Sequence, residues 1–401
     1  MKKLKIVLLT TKFDTQKKGA SLVDDLVDSL VGMGHSVDVI FLDWAKNHTG
    51  PVTLRQDDLG IHVVPPSGGT GGVLSKVVRW VWSAFNVSKL VRQIVLPNSH
   101  DLLISFSPSI VFSLALLLLR SRIKSRVLIQ WDFFPYHQAQ IGLIPFFWMT
   151  PLAAWVETML MNSFTAIGCM SPRNVDYLHA HFRVDRSVRV GVLPIWSKVR
   201  PRPIVNKGLL RGEFGIPSNA FVAVFGGQIT AGRGIEDIVQ MARIASKRLS
   251  KICFVVIGSG PKTEWLAAQS KEISDYLVVL PPVSRERYLD LVAACDAGLV
   301  MTVPYVDVPS FPSKTLDYCC AGLPVAAAVE KSTDFGQIIT DAGFGKYCDA
   351  GDVFGLIEIL EGFCSDPALL ASMGKAARDQ YEDYFSVDSV SISLLKMIEK
   401  D

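Results

Sequence analysis

In "FPSKTLDYCCAGLPV" (311–325), Lys314 and Asp317 stand three residues apart, so a helix there places both on one face. A second stretch, "GGQITAGRG" (226–234), follows an apolar run and opens another helix, with Arg233 beside its start. "YVDVPSFPSK" (305–314) leads into the first helix in the same way. Each helix start offers unpaired N–H groups and the positive end of a dipole, and each adds a cation. Two such ends facing one another would hold a diphosphate without a metal. Asp317, one turn below Lys314, would then accept hydrogen bonds from vicinal hydroxyls, as a carboxylate does for a ribose. Plainer explanations stand beside this one. A Lys/Asp pair three apart also serves as a solvated salt bridge, and a single Gly-x-Gly loop is a weak signature.

"IQWDFFPYHQAQIG" (129–142) carries a second set of groups. Asp132 comes at the carboxyl end of a strand pattern, and His137 follows a proline turn. A carboxylate can orient a sugar hydroxyl and an imidazole can polarise one; equally, Asp132 could cap a loop and His137 fill a surface turn. No paired carboxylates with a nucleophile's role stand out. The seven cysteines form no Cys-x-x-Cys pair and have no histidine at metal spacing. Buried thiols in a reducing compartment are the expectation, with no metal site.

The elements that must position these residues alternate between strand and helix. Strands are predicted at 4–10, 35–43, 101–106, 125–132 and 165–170, with a helix over 20–34 whose apolar residues repeat at helical spacing. "LPIWSKVRPRPIVNKG" (193–208), with three prolines and four cations, reads as the linker. The pattern then restarts, with strands at 221–227, 251–260, 276–283, 297–302 and 324–329 and helices at 234–249 and 286–296. The fold expected is α/β, with two Rossmann-like doubly wound parallel sheets facing a central cleft. The domains expected are 1–198, 199–385 and a C-terminal helix, 386–401, packing back toward the first. "PPSGGTGG" (65–72) has no strand leading straight into it, so it is not a dinucleotide fingerprint.

At 401 residues the chain is long enough for two cores. A net charge of +3, without a Lys/Arg block interleaved with aromatics, gives no footprint for nucleic acid. "MKKLKIVLLTTKFD" imitates a signal peptide but has too short an apolar run, and reads as a buried first strand. The apolar stretches 109–126 and 141–164 are interrupted by Arg120 and by Pro145, Pro151 and Glu157, and fall short of a bilayer span. "SKVVRWVWSAFNVSKLVRQI" (75–94) mixes Trp80, Trp82 and Phe85 with Lys76, Arg79, Lys89 and Arg92. With 141–164 it suits peripheral docking at a membrane; core packing accounts for the same aromatics.

The second half, from about 221 to 385, resembles the nucleotide-binding domain of retaining glycosyltransferases of the GT-B fold, family four. The resemblance is carried by "FGGQITAGRGIEDIVQMA", "FVVIGSGP", "VSRERYLDLVAACDAGLV" and "PSKTLDYCCAGLPVAAAV". The last is similar to the Pro-Ser-Lys-x-x-Glu-Tyr pattern of polysaccharide-assembly members. In the first half, "LLTTKFDTQKKGASLVDDLVDSLVGMGHSVDVI" looks like the family's opening strand, glycine loop and helix. Carried over by position, Arg233 contacts the diphosphate, Asp317 the ribose and the backbone at Val283 the base, while Gly19 lies in the loop facing the donor phosphates. The donor-binding set implied is Gly19, Gly227, Arg233, Gly258, Val283, Ser310, Phe311, Ser313, Lys314 and Asp317. The catalytic set is Asp132, His137, Arg233 and Lys314. Three positions depart from the family pattern. Gln228 replaces an arginine, Pro309 a glutamate, and Asp317 is one methylene shorter than the usual glutamate.

The resemblance implies transfer of a sugar from a nucleotide sugar to a hydroxyl of a glycan or lipid-linked acceptor, with retention, in cell-surface polysaccharide synthesis. No cofactor and no metal are expected. The leaving phosphate itself would take the acceptor's proton. The expected location is cytoplasmic, at the inner face of the cytoplasmic membrane. A nucleotide-sugar 2-epimerase of the same architecture and a non-catalytic nucleotide-sugar-binding subunit are the competing readings. An NAD(P)-dependent oxidoreductase is disfavoured because "TTKFDTQKKGAS" lacks the glycine spacing that class needs.

Overall fold

The computed structural model describes residues 2–15, 21–44, 50–65, 73–140, 144, 148–248 and 250–399, without the side chains of 73–80. The chain divides into two compact units, Met1–Lys198 with Val387–Asp401, and Val199–Ser386.

Among the described residues the first unit has eight strands: β1 (Lys5–Thr10), β2 (Ser36–Leu42), β3 (Val52–Gln56), β4 (Leu59–Val64), β5 (Leu102–Phe106), β6 (Ser125–Gln130), β7 (Ala166–Cys169) and β8 (Arg189–Val192). They lie in the order β3-β4-β2-β1-β5-β6-β7-β8. Every pairing is parallel except β3 with β4. Strands covered on both faces read as unbroken apolar runs, as in the fully buried Ile6–Leu9 and Leu102–Ile104. The connecting helices are α1 (Leu22–Gly32), α2 (Val73–Ile94), α3 (Ser113–Leu119, after a 3-10 turn at Ser109–Phe112), α4 (Tyr136–Gln140), α5 (Met149–Met161) and α6 (Pro172–His181). Ser21 caps α1, its hydroxyl accepting from the Asp24 amide, and Ser171 caps α6 with Pro172 in the first turn.

The second unit has six parallel strands: β9 (Phe221–Gln228), β10 (Ile252–Ser259), β11 (Leu277–Leu280), β12 (Ala297–Met301), β13 (Val325–Val329) and β14 (Gly345–Asp349). Their order is β11-β10-β9-β12-β13-β14, so direction reverses between β9 and β12. In such sheets the crevice for a ligand lies beyond the carboxyl ends at that switch point. The helices are α7 (Lys207–Glu213), α8 (Ile235–Lys247), α9 (Thr263–Glu272), α10 (Arg285–Ala293), α11 (Thr315–Ala321), α12 (Phe335–Asp341), α13 (Val353–Ser365) and α14 (Pro367–Asp383). The last helix, α15 (Val387–Lys396), returns to the first unit and buries Val387, Val390, Leu394 and Leu395 in its core.

Two expectations differ from the structure, and one hairpin went unpredicted. The stretch 193–208 is not all linker: Leu193, Ile195 and Trp196 are buried in the first unit, and the Trp196 indole N–H donates to the Leu22 carbonyl. The β3–β4 hairpin was missed because β3 is a polar, exposed edge strand without an apolar run. The predicted strand 276–283 stops at Leu280, leaving Pro282 and Val283 in the loop beyond the sheet edge.

Candidate functional site

At the carboxyl ends of β9, β10 and β11, next to the switch point, the second unit has a cavity of about 550 Å³. Its floor is backbone. β9 and β10 run in register with Gly227 opposite Gly258. Gly227 has φ 131°, and a side chain on Gly258 would run into the Gly227 carbonyl. Glycine at both places lets the strand ends stay together and keeps the cavity floor clear of side chains. Gly226 is held from two sides: its amide donates to the Tyr318 hydroxyl (3.3 Å), which itself donates to the Leu299 carbonyl (3.0 Å), and Tyr288 packs against its Cα.

The walls carry the charge. The lining includes Gln228, Arg233, Val283, Arg285, Ser313, Lys314 and Asp317. Sequence reasoning thus named Gly227, Arg233, Gly258, Val283, Ser313, Lys314 and Asp317, and all seven line this one cavity. Arg233 is exposed at the turn before α8, whose N-cap, Gly234, takes the left-handed conformation (φ 62°). Lys314 is half-buried, its Nζ 3.4 Å from the centroid of the Phe225 ring. Burial, and then the neighbouring charge of Arg233, push its pKa well below the usual lysine value. An anion bound beside it would oppose both effects by its charge.

The helix ends contribute less evenly than expected. α8 runs 13 residues, but α11 has only seven, with Lys314 itself as N-cap. A two-turn dipole is weak, so on that side the ammonium group is the main attraction for an anion. The first turn of α8 also carries Glu236 and Asp237; Glu236 pairs with Lys262, and burial raises the Asp237 pKa. α11 ends at Gly322 (φ 66°), and Pro324 follows, which accounts for the Gly-Leu-Pro that closes the motif.

Asp317 is not alone. The Arg285 guanidinium, at the first turn of α10, donates through Nη2 to Asp317 Oδ1. Arg285 and Tyr288 were missed in the sequence. Arg285 sits some thirty residues before the acid it pairs with, and nothing in its local pattern announces the pairing. Ser310 and Phe311 are placed elsewhere than expected. The Ser310 hydroxyl donates to Glu330 Oε1 (2.8 Å), and Phe311 is buried against Phe335 and Phe385. Both fix the loop ahead of Lys314 instead of lining the cavity. Gly19 lies outside the described residues.

In the first unit, Asp132 and His137 are brought together at the end of β6. His137 Nδ1 lies 3.6 Å from Asp132 Oδ1, and the Gln138 amide donates to Asp132 Oδ2 at 2.5 Å. The Ser107 hydroxyl accepts the amides of Trp131 and Asp132 (3.0 and 2.9 Å), which fixes the loop. Both side chains are about one third exposed, so they can meet a ligand from solvent. Another cavity of this unit, lined by Lys2, His35, His100, Arg122 and Lys124 among others, lies at the amino ends of the strands, away from where such sheets bind ligands. Among the described residues no cluster of three His, Cys, Asp or Glu could hold a metal ion.

Comparison with known proteins agrees with this geometry. Residues 206–380 match the family described as glycosyl transferases group 1. A D-inositol 3-phosphate glycosyltransferase of Streptomyces avermitilis is 27% identical over 214 residues, 50% of this chain and 45% of that protein. One from Streptomyces scabiei is 25% identical over 57% of this chain and 52% of its own length. The chain thus spans about half the length of the curated relatives it matches. Among solved structures, sucrose-phosphate synthase from Thermosynechococcus elongatus superposes with a TM-score of 0.75 at 14% identity, covering 98% of both chains. HepE of Anabaena, solved with UDP, gives 0.70 at 15% identity, covering 98% of this chain and 99% of its own. WaaG, a glycosyltransferase involved in lipopolysaccharide biosynthesis, gives 0.64 at 14%, covering 99% and 100%. Residues 206–380 are thus similar to the glycosyl transferases group 1 family, and the chain has the fold shared by these GT-B glycosyltransferases.

Proposed function

We propose that this protein is a nucleotide-sugar-dependent glycosyltransferase that moves a sugar, with retention, to a hydroxyl of a glycan or lipid-linked acceptor in cell-surface polysaccharide synthesis. The observation that carries it is the convergence of Arg233, Lys314, Asp317 and the glycine floor on one cavity at the switch point. Breaking the bond to the anomeric carbon develops positive charge on the sugar and negative charge on the leaving diphosphate. Preorganised donors at the departing oxygens stabilise that transition state. Arg233 and Lys314 supply two full charges, and the strand-end amides add dipoles. Asp317 accepts from the ribose. UDP is the first nucleotide to test, because HepE was solved with UDP and with UDP-glucose.

Retention by a same-face route is supported by the lining, in which, among the described residues, Asp317 is the one carboxylate and is already engaged by Arg285. A double displacement would need a carboxylate free to act as nucleophile. The departing phosphate then takes the acceptor's proton. Asp132 orients hydroxyls, and His137, held beside it, polarises one.

The acceptor side of this proposal places the protein at the inner face of a cytoplasmic membrane. Trp148, Leu152, Trp155 and Met159 are exposed at spacings of four, three and four, one stripe along α5. Val81, Trp82 and Phe85 on α2 and Leu114 and Leu117 on α3 are exposed as well. Right-handed crossovers from β4 to β5, β5 to β6 and β6 to β7 put these three helices on one side of the sheet. Between residues 59 and 131 there are eight Lys and Arg and one acid, Asp101. A second copy of the chain would set those cations against one another, whereas an anionic lipid surface neutralises them. Among the described residues no helix is long and apolar enough to cross a membrane.

Thermal unfolding across UDP-, GDP- and ADP-sugars, followed by turnover of the stabilising donor, tests the reading. One nucleotide class should raise the midpoint, by about 2.7 kcal/mol of stabilisation at a hundred times its Kd. Absence of any stabilisation, with no sugar released or transferred, would refute it. Isomerisation of the sugar without release of nucleotide would select the epimerase instead.

A further inference from the structure

We propose that Arg285 is a positioning residue that holds one oxygen of Asp317, so that the site reads the ribose of a ribonucleoside diphosphate mainly through one hydroxyl; this rests on the nucleotide-sugar reading above. Three observations carry it. Arg285 Nη2 donates to Asp317 Oδ1, and no described residue donates to Oδ2. Both side chains line the cavity, with the acid only 16% exposed. Arg285 is also fixed from below, its guanidinium carbon 5.7 Å from the centroid of the Tyr288 ring, while Tyr288 packs against Gly226 at the end of β9.

The pairing has a chemical consequence. A carboxylate free at both oxygens can accept from both hydroxyls of a vicinal diol, and either hydroxyl can be lost for a partial penalty. One whose Oδ1 already accepts from a guanidinium has one lone pair of that oxygen taken and its charge shared, which leaves Oδ2 as the stronger acceptor, so the two hydroxyls are held unequally. The short aspartate strengthens the case, because with one methylene fewer than glutamate it cannot pivot to share its oxygens while Arg285 holds it. Arg285 Nε is buried and unpartnered, so the guanidinium is not there to complete a protein network of its own. Its satisfied contact is the one to the acid.

The experiment is calorimetric titration of the wild-type chain with UDP, 2′-deoxy-UDP, 3′-deoxy-UDP and inorganic pyrophosphate, repeated on Arg285→Ala and Arg285→Lys. In the wild type one deoxy analogue should bind about tenfold or more weakly than UDP, and the other within about threefold. Arg285→Ala should bring the two analogues level, with any loss in pyrophosphate affinity matched by an equal loss for UDP, and Arg285→Lys should restore part of the difference. A structural role would lower all four affinities together with the unfolding midpoint and would not move the ratio. Equal losses for both analogues in the wild type, or an unchanged ratio in Arg285→Ala, overturn the proposal while the site stands. A wild type that binds neither UDP nor pyrophosphate overturns the cavity reading as well.

Discussion

Replacing Lys314 with methionine should move stability and affinity in opposite directions. The methionine side chain keeps apolar contact with Phe225 but removes a charge that the free protein holds against burial and against Arg233. The folded pKa lies below that of the unfolded lysine. Between those two values the unfolded chain binds more protons, so this group's contribution to stability rises with pH across that window. Lys314→Met should flatten that slope and raise the unfolding midpoint at neutral pH. For the ligand the sign reverses. A unit charge about 4 Å from a phosphate oxygen gains about 4 kcal/mol at an effective dielectric near 20. Desolvating the phosphate takes back part of that, leaving about 1.5–3 kcal/mol, typical of a hydrogen bond to a charged group. UDP should therefore bind roughly 10- to 150-fold more weakly to Lys314→Met. In the wild type, affinity should fall as pH rises through the depressed pKa, because the diphosphate must first draw a proton onto Lys314. Calorimetry in two buffers of different ionisation enthalpy reads that proton uptake directly. A methionine variant that binds UDP within twofold of wild type, or that melts earlier, refutes the reasoning.

Arg233→Ala, at an exposed position, should leave the melting profile unchanged while cutting diphosphate affinity by at least tenfold, checked by titration with UDP and with pyrophosphate. His137→Ala and Asp132→Asn should lower kcat of sugar transfer by about 10²-fold or more with UDP affinity within threefold of wild type; equal loss in Kd would remove them from the acceptor side. Glu157, on the buried face of α5, accepts the amides of Ser109 and Ile110 (2.5 and 3.0 Å), and burial raises its pKa to about 7. The folded state therefore holds its proton longer, and this group's stabilisation is complete below pH 4.5 and lost as pH rises toward 7. The pH dependence of the melting point should differ between wild type and Glu157→Gln over that window. Trp148→Ser with Trp155→Ser should abolish co-sedimentation with vesicles containing anionic lipid, while zwitterionic vesicles recover little of either protein.

The cavity of the second unit was legible in the sequence because its residues sit where topology forces them together. Arg233 and Lys314 could be read from the two helix starts, while Gly227, Gly258 and Val283 came only from the family resemblance; the loops that carry all five meet at the switch point. What escaped depends on tertiary contacts. The pairing of Arg285 with Asp317 joins two helices that have no shared local pattern. Tyr318 reads as an ordinary core residue, and its bridge from Gly226 to Leu299 exists only once β9 and β12 are neighbours. Ser310 and Phe311 lie beside a residue that does line the cavity, but the loop turns their side chains toward Glu330 and Phe335. Trp196 looked like linker because prolines surround it, yet its burial with the N–H satisfied keeps it in the core.

The most direct measurement is a crystal structure with UDP bound. Both phosphates should lie against Gly227 and between Arg233 and Lys314, with a ribose hydroxyl on Asp317 Oδ2 and no cation bridging the diphosphate. A nucleotide seated elsewhere, or a diphosphate that touches neither Arg233 nor Lys314, would contradict the account.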